Sequence, residues 1–248
     1  MSKSKYAIEA LPTEKSSIPQ RPVQKNGILP NHPFSMVISG ISKSGKTVCL
    51  LNILSKKCML KGYFHYTIVL SPTANETDDT YKCLNLPEEN YIREFDGEYI
   101  NRLIESRKEL IKKKGITWVG KNSRVLMILD DIIANRSFLN SPEALSMFTL
   151  LRHYHISIMT LIQKYNKLPT ALRGNANATI IFPSQQAEIE VLLDEITPTG
   201  MKKREFEKVI EYATEDDYSF LYINRHAKRG EQIRKNLDEI INLNDFKK

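Results

Sequence analysis

Three groups of residues carry side chains suited to phosphate chemistry. The first is Gly40-Ile41-Ser42-Lys43-Ser44-Gly45-Lys46-Thr47, continued by Val48. Two glycines flanking four residues, then Lys and a hydroxyl residue, form the pattern of a phosphate-binding P-loop. Gly40 and Gly45 let the backbone turn and approach a phosphate closely. N–H groups of the loop would converge on the phosphates, and the helix starting after Gly45 would add the positive end of its dipole. Lys46 can reach the β- and γ-phosphates as a point charge, and the Thr47 hydroxyl can hold Mg²⁺. Binding of a nucleoside triphosphate is expected.

The second group is the carboxylate pair Asp130-Asp131, which ends the apolar run Arg124-Val-Leu-Met-Ile-Leu129. Asp130 is placed to hold Mg²⁺ in the Walker B role. Asp131 is placed to polarise an attacking water, although an Asp here could also simply cap the following turn. The third group is Gln163, Arg152 and Arg173. Gln163 ends the next apolar run, where a polar side chain can sense the γ-phosphate or pair with buried backbone. Arg152 and Arg173 are two candidates for a finger that neutralises charge on a transferring phosphoryl group; a surface salt bridge is the alternative for each. Arg152, one strand before Gln163, is expected at the edge of the nucleotide face. His153 and His155 form an H-x-H without an evident third ligand, so they are assigned to packing rather than zinc.

The elements that must position these groups follow from the pattern. Ser35–Ser39, Tyr66–Leu70, Arg124–Asp131, Ile156–Ile162, Asn177–Phe182 and Tyr218–Ile223 read as buried strands. Helices are expected after the loop to Lys57, over Glu98–Lys114, from Ser141-Pro142 to about Arg152, and over Gln185–Glu195, Met201–Ala213 and Gln232–Leu243. The segment 75–90 reads as irregular and Trp118 as part of a loop. Strands alternating with helices around a P-loop predict an α/β fold, a mainly parallel sheet with helices on both faces.

The remaining composition is ordinary. The chain has 248 residues, 41% of them hydrophobic and 26% charged, with a net charge of +7. That suits one domain, 31–248, preceded by a basic arm over 1–30. No apolar run is long enough for a membrane span, and Cys49, Cys58 and Cys83 suit a reducing compartment without disulfides or zinc. The basic stretches Arg107–Lys114 and Arg225–Lys235, with Tyr222 beside the second, would suit a phosphate backbone or equally a solvated surface. The GTPase signals N-K-x-D and D-x-x-G are missing at suitable places.

Together, GISKSGKT, VLMILDD, LLRHYHISIMTLIQ and LPTALRGNANATIIF resemble the FtsK–HerA superfamily of DNA-pumping ATPases. Within it they are most similar to the poxvirus-type genome-packaging ATPases of large DNA viruses and virophages. The marks fall on Arg152, His153, Gln163, Arg173 and Asn175, over about residues 34–225. The resemblance implies a three-layer α/β/α RecA-like (additional-strand) ATPase that binds ATP and Mg²⁺ through Lys46, Thr47 and Asp130. Asp131 would complete the Walker B pair, where many cellular relatives have Glu, and Gln163 would be the sensor. It further implies a homo-oligomeric ring that drives double-stranded DNA into a capsid. Partners would be a viral capsid or portal-vertex protein, and the place the host-cell cytoplasm, at the virus factory or on the virion. A helicase, another DNA translocase, a small-molecule P-loop kinase and a non-hydrolysing scaffold are the alternatives.

Overall fold

The computed structural model describes residues 27–72, 79–94, 97–132 and 136–247. The arm expected over 1–30 lies outside the described residues as far as residue 26. From there the chain is already held: Leu29 is buried, and the Ile28 carbonyl accepts from the Tyr222 hydroxyl at 2.7 Å and from Asn224 Nδ2 at 3.0 Å. The boundary placed after residue 30 therefore falls within packed chain.

The architecture is one sheet covered on both faces. In chain order the elements are β1 (Ser35–Ser39), α1 (Lys46–Ser55), β2 (Tyr66–Leu70), β3 (Tyr91–Ile92), α2 (Gly97–Lys114), α3 (Ile116–Asn122) and β4 (Val125–Asp130). Then come α4 (Arg136–Leu139), α5 (Pro142–Leu150), β5 (Ile156–Ile162), α6 (Thr170–Gly174), β6 (Ala178–Ile181), α7 (Gln186–Ile196) and α8 (Lys203–Ala213). The chain closes with β7 (Leu221–Asn224), β8 (Ile233–Lys235) and β9 (Glu239–Ile240). Strand order is β3-β2-β4-β5-β1-β6-β7-β8-β9. The pairs from β3 to β6 are parallel and those from β6 to β9 antiparallel.

Residue alternation along the strands sets the two faces. Val37, Val125, Met127 and Leu129 enter one core with residues of α2, α5, α7 and α8. Met36, Ile38, Leu126 and Ile128 enter the other, under α1 with Leu50, Ile53 and Tyr81. The start of α5 is as expected: Ser141 Oγ accepts from the Ala144 N–H at 3.1 Å, with Pro142 in the first turn.

Two expected elements differ. Residues 232–243 are not a helix but β8 and β9. Ile233, Leu237 and Ile241 have helical spacing, yet Asn236 sits at φ 55° and turns the chain, and Ile233 pairs with Ile223. Trp118 lies not in a loop but in α3, which starts after Gly115 at φ 82°.

Candidate active site

The P-loop is built as its sequence requires. Gly40 follows β1; its N–H donates to the Ile162 carbonyl at 3.2 Å, and the Ile41 N–H donates to Pro183 O at 3.1 Å. The loop is thereby tied to the ends of both neighbouring strands, β5 and β6. A Cβ at Gly40 would lie 2.5 Å from Phe182 Cβ and 2.8 Å from Ser44 Oγ, so no larger residue fits. Gly45, at φ 101°, makes the turn into α1.

Lys46 is half-buried, and its Nζ donates to the carbonyls of Gly40 at 2.8 Å and Ile41 at 2.7 Å. Burial lowers its pKa, while Asp130 and Asp131 act to raise it. Both carboxylates are thus within electrostatic reach of the loop lysine. The strand order explains how: β5 lies between β1 and β4, with Ile162 opposite Ser39 and Leu161 opposite Asp130. Gln163, exposed, follows Ile162 on this edge, one residue past the carbonyl that holds Gly40. Gly40–Val48, Asp130, Asp131 and Gln163 are therefore brought together at the C-terminal edge of the parallel strands.

Asp130 and Asp131 differ in setting. Burial raises the Asp130 carboxyl, and a hydrogen bond from Tyr81 lowers it; the Tyr81 hydroxyl donates to Asp130 Oδ2 at 2.6 Å. Asp131 is half-buried at φ 54°. Asp and Asn tolerate this left-handed conformation better than other side chains, which gives a physical reason for Asp over Glu at this position.

The residues present fit a triphosphate with Mg²⁺. Ser44 Oγ is a buried hydroxyl without a hydrogen-bond partner, beside the cradle that a Cβ at Gly40 would fill. Thr47 and Asp130 offer oxygen donors, the class that Mg²⁺ takes, with phosphates and water completing its shell. Among the described residues no group of three or more His, Cys, Asp or Glu could hold a metal by itself.

The arginines are elsewhere. Arg173 is buried, its side chain 8% exposed; it pairs with Glu195 at 2.5 Å and donates to the Leu168 carbonyl at 2.5 Å and to Asn166 O at 3.2 Å. A guanidinium so occupied ties α6 to α7 and to the segment after β5 within its own chain. Arg152 is exposed but precedes β5, not follows it. It lines a small recess with Ser35 and Asn177, at the starts of β1 and β6. At ~3.3 Å per residue, β5 sets Arg152 on the order of 20 Å from Gln163. The expectation that Arg152 borders its own nucleotide edge is corrected: it stands on the opposite edge. His153 is exposed, and His155 is buried against the His32 ring, 5.7 Å away.

Part of the expected basic surface is internal. Arg107 is buried and donates to Ser123 Oγ and Ser123 O, each at 2.6 Å, and to Tyr154 O at 2.8 Å. Arg234 and Lys235 are buried too, Lys235 paired with Glu215 at 2.7 Å and Asp216 at 2.6 Å. Tyr222 is fully buried and cannot contact a nucleic acid. Tyr81 is a member of the site that the sequence pattern does not mark. It sits in the segment read as irregular, and its partner Asp130 is distant along the chain, so no local signal singles it out.

Fold and site together define an α/β fold of the P-loop NTPase type, with a strand inserted between its loop strand and its acidic strand. Residues 24–238 match the family of the poxvirus A32 protein, and the chain belongs to that family. It is 28% identical over 172 residues to the DNA packaging protein OPG160 of vaccinia virus (strain Copenhagen), an alignment covering 69% of this chain and 61% of that protein. The chain thus spans less than two thirds of that relative's length. It is also 22% identical over 208 residues to the uncharacterized protein 088R of invertebrate iridescent virus 3, covering 82% and 74% of the two chains. Among solved structures, it is similar to the genome packaging NTPase B204 of Sulfolobus turreted icosahedral virus 2. With AMP bound, that structure gives a TM-score of 0.57 at 15% identity, over 82% of this chain and 96% of B204. The complex with ATP-gammaS gives 0.55 at 17%, over 81% and 95%. At such identities the likeness establishes the fold.

Among the described residues no helix is long and apolar enough to cross a membrane.

Proposed function

We propose that this chain is an ATP-hydrolysing motor that moves double-stranded DNA into a viral capsid. The observation that carries the proposal is the meeting of Lys46, Asp130, Asp131 and Gln163 at one sheet edge, in a chain of the A32 family. The vaccinia relative's name as a DNA packaging protein supplies the direction of the work.

In the mechanism, the loop N–H groups and Lys46 bind the β- and γ-phosphates, for which Lys46 must leave the carbonyls of Gly40 and Ile41. Thr47 and Asp130 would hold Mg²⁺, which when bound would supply positive charge against the phosphate oxygens. Asp131 orients a water molecule in line with the γ-phosphorus and accepts its proton as the oxygen–phosphorus bond forms and the bond to ADP breaks. Gln163 fixes that water or reads the γ-phosphate. Arg152, exposed and remote from its own loop, is available only to a neighbouring copy, as in a head-to-tail ring. Double-stranded DNA, a homo-oligomeric ring and a capsid or portal-vertex protein are the partners of this reading, and the virus factory in the host cytoplasm its place.

DNA contact is supported by one group of exposed cations. Lys112, Lys113 and Lys114 end α2, Lys121 lies in α3, and Lys228 and Arg229 follow β7; all are exposed. All lie toward the edge that carries Arg152, away from the phosphate site.

The test is ATP turnover with and without double-stranded DNA, using wild type, Lys46→Ala, Arg152→Ala and the two variants mixed. Stimulation by DNA, loss in each variant and recovery on mixing are expected. Absence of recovery in mixed oligomers shown to form would remove the trans role of Arg152. Wild-type turnover in Lys46→Ala would refute the motor itself.

A further inference from the structure

Beside the P-loop lies a cavity of about 660 Å³ that the phosphate chemistry does not use. One wall is the outer side of α1, from Gly45 and Val48 to Asn52. The floor is aromatic: Phe182 and Phe220 lie with ring centroids 5.0 Å apart. The far wall is the turn between β8 and β9, where Asn236 and Asp238 line the space. A cavity of this size and lining is typical of small-molecule sites.

Tyr218 stands at its mouth, against the last glycine of the loop. A Cβ on Gly45 would lie 3.2 Å from Tyr218 Cδ1. The tyrosine is 70% exposed, so burial cannot be what favours it there. It also sits at φ 63°, a left-handed conformation that a bulky residue seldom adopts. The turn holding it is fixed: Ser219 N and Ser219 Oγ both donate to the Asp216 carbonyl, at 3.1 and 2.8 Å. An exposed aromatic ring in strained backbone, held by its neighbours, is the sort of feature that collects at ligand clamps.

We propose that this cavity takes the purine nucleoside end of the nucleotide, with the Tyr218 ring as its stacking platform. The inference rests on Gly40–Val48 being the phosphate cradle of the proposed motor. With the phosphates on the loop, the ribose and base must leave it, and the cavity begins at Gly45. Polar groups on its far wall suit a base edge. Asn236 Oδ1 accepts from the Phe220 N–H at 3.3 Å, which leaves the amide nitrogen as a donor. The exposed Asp238 carboxylate supplies an acceptor. A donor beside an acceptor matches N1 and the amino group of adenine, or O6 and N1–H of guanine; cytosine and uracil carry the same pairs, and it is the larger face a purine offers to the Tyr218 ring that favours the purines. Both bases are therefore candidates on chemistry alone, and the purine is the shared ligand.

The experiment uses the full chain as wild type, Tyr218→Ala and Tyr218→Phe. Equilibrium binding is measured for Mg²⁺ with ATP, GTP and inorganic triphosphate. Base stacking on an aromatic is worth roughly 5- to 150-fold in affinity, so Tyr218→Ala should bind ATP, GTP or both ~10-fold or more weakly. Tyr218→Phe should restore binding, and inorganic triphosphate should bind all three proteins alike. The nucleotide losing more affinity names the base. A second measurement follows alkylation of Cys58, which lines the cavity and is exposed. ATP or GTP should slow it, and inorganic triphosphate should not. Unchanged nucleotide affinity in Tyr218→Ala would overturn the stacking role, as would an equal loss for inorganic triphosphate. If wild type bound neither nucleotide nor inorganic triphosphate, the phosphate cradle itself would be refuted, a different failure from loss of the base pocket alone.

Discussion

Replacing Asp131 with Asn separates binding from hydrolysis, because the backbone at this position dictates which substitution is clean. Asp131 is at φ 54°. A left-handed conformation costs most residues roughly 1–2 kcal/mol, so Asp131→Ala would mix strain with lost chemistry. Asn tolerates the conformation, keeps the shape and removes only the charge. That charge lies within reach of Lys46, as the opposing influences on the lysine show. Losing a positioned base should slow the chemical step by ~10²–10⁴-fold. At ~1.36 kcal/mol per decade this adds about 3–5 kcal/mol to the barrier. Binding should move the other way or not at all. One negative charge near the triphosphate disappears, while Thr47, Asp130 and Lys46 are untouched. The assay is single-turnover hydrolysis of Mg·ATP, with equilibrium binding on the same preparation. Near-wild-type hydrolysis by Asp131→Asn would make Asp131 a turn residue, and weakened binding matched to the rate loss would make it part of the metal site. Either result refutes its placement as the base.

Further outcomes are expected elsewhere in the fold. Tyr81→Phe removes the hydroxyl that holds Asp130 Oδ2; supports of metal ligands are worth ~10- to 100-fold in metal affinity, so the Mg²⁺ needed for half-maximal turnover should rise by about tenfold. A lower rate at saturating Mg²⁺ with an unchanged Mg²⁺ requirement would exclude that role. Arg173→Ala leaves Glu195 with the Tyr165 hydroxyl but without its charged partner; since that carboxylate is 23% exposed, the loss should sit near the lower end of the ~3–5 kcal/mol range, read as a fall in denaturant midpoint. An unchanged midpoint would make Arg173 a functional candidate again. Changing Lys112, Lys113 and Lys114 together to Gln should weaken binding of double-stranded DNA equally across sequences and flatten its salt dependence, by ~0.9 in log–log slope for each phosphate no longer neutralised. An unaltered slope would move the DNA surface away from α2.

The parts of the site that could be read from the chain are those whose constraints are local. A P-loop needs its glycines, lysine and hydroxyl within one turn, and a central strand needs an unbroken apolar run before its carboxylates. Both conditions are met within a few neighbours of Gly40 and Asp130. Tyr81 and Tyr218 depend instead on which strands become adjacent. Tyr81 reaches Asp130 because the segment before β3 folds over α1, with which it shares a core. Tyr218 reaches Gly45 because β7 pairs beside β6. The end of the chain misled for a related reason. Ile233, Leu237 and Ile241 satisfy a helical period, but the open edge of β7 offers Ile233 a backbone partner, and the left-handed Asn236 lets the chain fold back.

Charge was the least readable feature, because a run of cations gives no address for each one. Arg107 and Lys112 are five residues apart on one helix, yet Arg107 ties α2 to Ser123 and Tyr154, where β4 and β5 begin. Lys112 is exposed. Arg234 and Lys235 likewise leave the second cluster for the interior, while Lys228 and Arg229 stay outside. Lys112 to Lys114, Lys121, Arg152, Lys228 and Arg229 lie toward the edge where the parallel strands begin, and the triphosphate site lies where they end. On the proposed motor reading, phosphates bound on one edge and cations near the other would make two copies complementary when stacked head to tail, with Arg152 meeting a neighbour's phosphates. Free cations on the same side remain for a DNA backbone. Neutralising Arg152 should therefore lower turnover without altering DNA affinity, whereas neutralising Lys112 to Lys114 should weaken DNA binding and leave turnover without DNA unchanged.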